Sequence, residues 1–208
     1  MHKKLKAPQS RNQVHKLKPG NHQLSHAITD FFSVAGVAVY RQVISDSFLA
    51  ASSPHSYKAQ TPANLLTYFH HLLIFMNGVH RFIQQNNGKH TVPHFTRTLN
   101  KNHCNINNNS GNVQRNCYHT LSADEYNNPY LAFTRFFAFQ GPKIWKADLG
   151  TILETALSEN DLVCSGIEHK LLAMYFHLVK LVEAAHVFRS LNLPDDNLYV
   201  VPDLKTTR

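Results

Sequence analysis

The sequence predicts an all-α protein: a single-domain helical bundle of about five main helices, with a flexible basic N-terminal arm and a long Asn-rich loop. Three observations predict it. In successive segments the apolar residues recur at helical rather than alternating spacing. Only Leu198 to Val201 looks strand-like, and one strand cannot make a sheet. Finally, 43% hydrophobic and 16% charged residues in 208 are apolar enough for a packed core and too poor in charge for a long coiled coil. A chain of this size buries roughly 70% of its unfolded surface and needs no disulfide to fold.

Residues 1–22 hold Lys3, Lys4, Lys6, Arg11, Lys16 and Lys18, no acid and almost no apolar residue. They read as an arm, and residues 23–208 as one helical domain. Leu24 to Ala51 is apolar for far longer than the usual strand of about 5 residues. The stretch predicts one helix through Phe31 to Tyr40, with Ala35, Gly36 and Ala38 admitting a close neighbour. From Thr61 to Gln85, Leu65, Phe69, Leu72, Phe75, Met76, Val79 and Phe82 share a face, with Thr61 as cap and Pro62 in the first turn. His70, Asn77, Arg81 and Gln84 fall on the opposite, wet face.

Asn makes up eight of the seventeen residues from Asn100 to Asn116, which predicts an exposed loop at 100–120. Ser122 and Glu125 have the spacing of a capping box that opens about one turn before Asn127 and Asn128. Pro129 to Gln140 and Pro142 to Glu159 each begin with a proline suited to a first helical turn. Ser165 with Glu168 reads as a second capping box, opening an amphipathic helix to Leu191.

Charge is lopsided along the chain. Residues 1–120 hold 13 Lys and Arg against Asp30 and Asp46, while residues 121–208 hold 8 against 11 acids. Either the front half docks on acids such as Glu154, Glu159, Asp161 and Glu168, or an anionic partner lies outside the chain. The first apolar stretch is not preceded by the pattern of a secretory signal, no uninterrupted apolar run reaches the roughly 18 residues of a span, and three Cys make an odd number. The expected setting is cytoplasmic, without a membrane.

Four groups of residues invite a chemical reading. His103 and Cys104 precede, and Cys117 and His119 follow, a run of Asn, so that two thiolates and two imidazoles could meet on zinc. Their pairs lack the usual spacing of two to four residues, and free thiols are the plainer reading. Glu183 and His186 have the Glu-x-x-His spacing of di-iron bundles, but no second such pair exists. Glu183 is therefore expected on a solvated face near Lys180. His80 falls at the edge of the apolar face of its helix and is the candidate buried functional histidine. Pro194, Asp195, Asp203 and Lys205 lie in a tail unsuited to a nuclease site, and no phosphate-binding glycine loop or nucleophile elbow occurs.

These features favour a non-catalytic helical interaction or accessory module with a protein partner, no catalytic residue and no cofactor. The alternative is a nucleic-acid-associated regulatory protein whose Lys3, Lys4, Lys6, Arg11, Lys16, Lys18, Lys101 and Arg115 meet phosphates. A metal-dependent or ribonucleolytic helical enzyme is the third reading.

Overall fold

A computed structural model of the chain describes residues 19–53, 57–86, 120–158 and 166–192. Among them are helices and no strand: α1 (Pro19–Val34), α2 (Val37–Ala51), α3 (Pro62–Gln85), α4 (Ala123–Asn127), α5 (Pro129–Phe139), α6 (Pro142–Leu157) and α7 (Leu171–Asn192). A 3₁₀ turn (Glu168–Lys170) leads into α7. The protein is all-α, as its apolar spacing predicts. The candidate strand Leu198 to Val201 lies outside the described residues, as do residues 1–18 and 87–119.

Helix α1 begins at Pro19, inside the stretch assigned to the arm. Its apolar continuation is not one helix but two, since α1 and α2 meet at 72° across Ala35 and Gly36. Gly36 is extended at the start of α2 (φ −73°, ψ 167°) and supplies no side-chain cap. Tertiary packing accounts for the bend. Phe31 stacks on Tyr40 at 3.9 Å and on Phe75 of α3 at 4.5 Å, while the Tyr40 hydroxyl donates to the Phe31 carbonyl at 3.2 Å. A straight helix would hold residues 31 and 40 about 13 Å apart along its axis. Folding back brings both rings into one core.

The close approach expected at Ala35, Gly36 and Ala38 is found elsewhere. A Cβ added to Gly36 would meet nothing within 4 Å, whereas one added to Gly78 of α3 would lie 2.9 Å from Ala27 Cβ of α1. The missing side chain lets α1 and α3 run closely together, and theirs is the most extensive helix contact in the fold.

Helix α3 follows its sequence reading, with Thr61 Oγ1 accepting from the Asn64 amide at 3.4 Å and Pro62 in the first turn. The Ser122 and Glu125 capping box is present at α4. The one expected at α7 is not seen: Ser165 lies outside the described residues, and the 3₁₀ turn starts after Ile167 without a side-chain cap.

Helix α7 is the axis of the fold, packing on α1, α2, α4 and α5. Between residues 178 and 188, Leu178, Val179, Leu181, Val182, Ala184, Ala185, Val187 and Phe188 are all buried, so this part of the helix is apolar nearly all round rather than on one face. With its leading turn it is long and apolar enough to cross a bilayer (mean hydropathy 1.4), and 56% of that stretch is buried against the rest of the fold.

Candidate functional site

An apolar helix that carries charge must say where each charge goes. On α7 the polar groups His177, Lys180, Glu183, His186 and Arg189 come at every third residue. At 100° per residue each step of three falls about 60° short of a full turn, so the five wind around α7 instead of sharing one face. The first three steps therefore meet different neighbours, and the last two share one.

His177 stacks on Phe139 of α5 at 4.4 Å. Lys180 Nζ donates to Glu125 of α4 at 3.1 Å, and Arg135 of α5 reaches the other oxygen of that carboxylate at 2.8 Å. Glu183 Oε2 accepts from the Thr120 hydroxyl at 2.7 Å and from its amide at 3.2 Å. Glu183 Oε1 lies 3.4 Å from Arg41 Nε of α2, paired by distance but misaligned for a hydrogen bond. His186 and Arg189 both lie against Phe32 of α1.

Glu183 thus overturns its expected place on a solvated face. It is 0% exposed, and Lys180 serves Glu125 instead. A buried carboxylate is costly unless paired and hydrogen-bonded, which is the work of Thr120 and Arg41. Asp148, also buried, is held in the same manner by Lys170 at 2.7 Å and Gln140 at 2.9 Å.

Burial pushes the Glu125 carboxyl up, but hydrogen bonds from the Ser122 amide, Arg135 and Lys180 outweigh it and bring the group down to about 2. Both histidines of the stripe go below the usual imidazole range. His177 is lowered by burial and by Lys180, partly opposed by Glu125; His186 is lowered by burial and by Arg189. In each, burial and a neighbouring positive charge favour the neutral form.

His80 is half-buried, with its ring 5.0 Å from Phe137 and its Nε2 3.3 Å from the Gln84 amide nitrogen. That is an aromatic packing position with a local polar neighbour. His103, Cys104, Cys117 and His119 lie outside the described residues, as do Lys3, Lys4, Lys6, Arg11, Lys16, Lys18, Lys101 and Arg115. Among the described residues no three His, Cys, Asp or Glu gather as metal ligands. An open trough of about 500 Å³ runs along the outer face of α6, between Lys143 and Glu154.

Of the front half's bases, Arg41, Lys58 and Arg81 lie among the described residues. Among the described residues the acids of the back half are paired chiefly with bases of the same half, and Arg41 to Glu183 is the ion pair that joins the two. Glu154 and Glu168 are exposed; Glu159 and Asp161 lie outside the described residues. The polar series on α7 is invisible to the apolar spacing of the segment alone. Polar residues at every third position of an otherwise apolar helix are the signal that finds it.

No protein-family model matches the chain, and no curated protein or solved structure is significantly similar to it.

Proposed function

We propose that the protein is a non-catalytic helical accessory module that binds an anionic polymer, nucleic acid foremost, through basic segments joined to the helical body. One observation carries this reading. The described residues hold nine Lys and Arg against eight Asp and Glu, so their net charge is +1 and the remaining +7 of the chain's +8 belongs to the other segments. The three buried acids, Glu125, Asp148 and Glu183, are already engaged by Arg135, Lys180, Lys170 and Arg41. They are not available to neutralise Lys3 to Lys18 or Lys101 and Arg115. A net excess of positive charge, here +7, attracts a polyanion.

Fluorescence anisotropy with a labelled oligonucleotide at three salt concentrations tests the reading. Log affinity should fall linearly with log salt, at about −0.7 per phosphate contact on a single strand and about −0.9 on a duplex. Removing residues 1–18, which leaves α1 whole, should weaken binding and flatten the slope with little change in sequence preference. Absence of binding at the lowest salt would sink the reading and leave a module for a protein partner.

A further inference from the structure

Helix α6 turns one face away from the fold. At 100° per residue Lys143, Lys146, Ala147, Gly150, Thr151 and Glu154 share that face, and they line the open trough of about 500 Å³. The trough is concave because Ala147 and Gly150 put almost no side chain between the long ones at its ends. Gly150 is the residue that needs a reason. Glycine inside a helix weakens it relative to alanine, yet a Cβ added here would meet nothing within 4 Å, so no contact within the described fold requires its absence. Gly78 differs in this respect, since the approach of Ala27 accounts for it.

The charges on the face complement one another end to end. Lys143 and Lys146 stand toward the start of α6 and Glu154 toward its end, and none of the three side chains makes an ion pair or a hydrogen bond. Residues 159–165, which follow the helix, hold Glu159 and Asp161 and no base that would compete for Glu154. Lys146 and Glu154 lie equally far from Gly150, about 6 Å to either side along the axis. A second α6 laid antiparallel across Gly150 therefore sets Lys146 of each copy against Glu154 of the other. A parallel copy would set like charges together.

We propose that this face of α6 is a self-association surface, on which two copies of the chain pair antiparallel about a two-fold axis at Gly150. The arrangement is isologous, the same patch serving both copies, as a closed dimer requires. Small residues at the crossing let the two helix axes come close, and the distance between packed helices is set by the side chains at their contact. Thr151 donates its hydroxyl to the Ala147 carbonyl at 3.2 Å, so covering it leaves no donor unpaired. Ile144, an exposed apolar side chain, stands at the edge of the same face. Packing supplies the attraction and the charges fix the direction, because exposed ion pairs contribute little energy but discriminate between registers.

A helix of 16 residues offers less than the standard interface of about 1,600 Å², so the pairing is reversible and depends on concentration. At physiological salt, charges more than about 8 Å apart are largely screened, which limits the repulsion between two chains of net charge +8. The surface goes beyond the polyanion reading and uses none of the bases invoked there.

Sedimentation velocity of the full chain, freed of nucleic acid and run at physiological salt over a wide range of concentration, tests the proposal. Wild type should pass from monomer to dimer as concentration rises. Gly150→Leu should weaken the pairing about tenfold or more, since the added side chain fills the crossing point. Circular dichroism and thermal melting should show that this variant folds as well as wild type, because its Cβ has free space in the monomer. Lys146→Glu and Glu154→Lys should each weaken self-association, and an equimolar mixture of the two should recover it, since both contacts between unlike copies are then attractive. A wild type that stays monomeric at the highest concentration, or that associates only before nucleic acid is removed, refutes the surface. So does a Gly150→Leu chain that dimerises like wild type. If both single reversals weaken the dimer and their mixture does not restore it, the antiparallel pairing about Gly150 is refuted.

Discussion

The Thr120 hydroxyl donates to Glu183 Oε2 at 2.7 Å across 63 residues of sequence, and the Thr120 backbone amide donates to the same oxygen. The pair fastens the start of the α4 segment to the middle of α7. Three residues earlier on α7, Lys180 makes the complementary contact with Glu125 of α4. Each partner thus contributes one carboxylate to the other's donor.

Thr120→Val removes one hydrogen bond to a charged group and should cost about 1.5–3 kcal/mol. Glu183→Ala removes the acceptor of the Thr120 hydroxyl and amide and the carboxylate paired with Arg41, and should cost about 3 kcal/mol or more. Urea denaturation of the single and double variants checks the pairing. Strict additivity would mean that the two residues do not act together.

Gly78→Ala should destabilise by about 1–3 kcal/mol, because a methyl group placed 2.9 Å from Ala27 Cβ forces α1 and α3 apart. Ala27→Gly made in the same chain should recover much of that loss. A stabilised Gly78→Ala would show that the helix gain outweighs the contact.

Acid sensitivity should centre on Glu125. Its folded carboxyl titrates at about 2 against a usual 4.5, so its charged form contributes stability above pH 4.5 that is lost as pH falls toward 2. The contribution is about 3 kcal/mol at neutral pH. Glu125→Gln should lower stability at pH 7 and flatten the acid limb of a stability profile. An unchanged limb would place the acid sensitivity elsewhere.

Trp145 is the single Trp of the chain, fully buried, stacked on Phe136 at 4.2 Å and donating to the Phe136 carbonyl at 3.1 Å. Its emission should be blue-shifted in the folded protein and move to the red on unfolding. Trp145→Phe should cost less than Trp145→Ala, for which about 3–5 kcal/mol is expected from the lost packing. Equal losses would assign the cost to the indole hydrogen bond alone.

The all-α class and the course of α3, α5 and α6 were legible in the sequence because helix formation answers to local signals. Apolar spacing, Thr61 before Pro62, and Ser122 with Glu125 all act within a turn or two. Concentration of positive charge near the front of the chain is likewise a property of composition alone.

What tertiary structure decided lies where neighbours outweigh local preference. Residues 24–51 could continue as one helix, and they bend because Phe31 and Tyr40 gain a shared core beside Phe75. Glu183 resembles any surface acid until α2 and Thr120 close over it. Period alone gives the angle of a side chain around its helix; which helix stands at that angle is set by the packing of distant segments, so the polar stripe of α7 acquires its partners only in the folded chain.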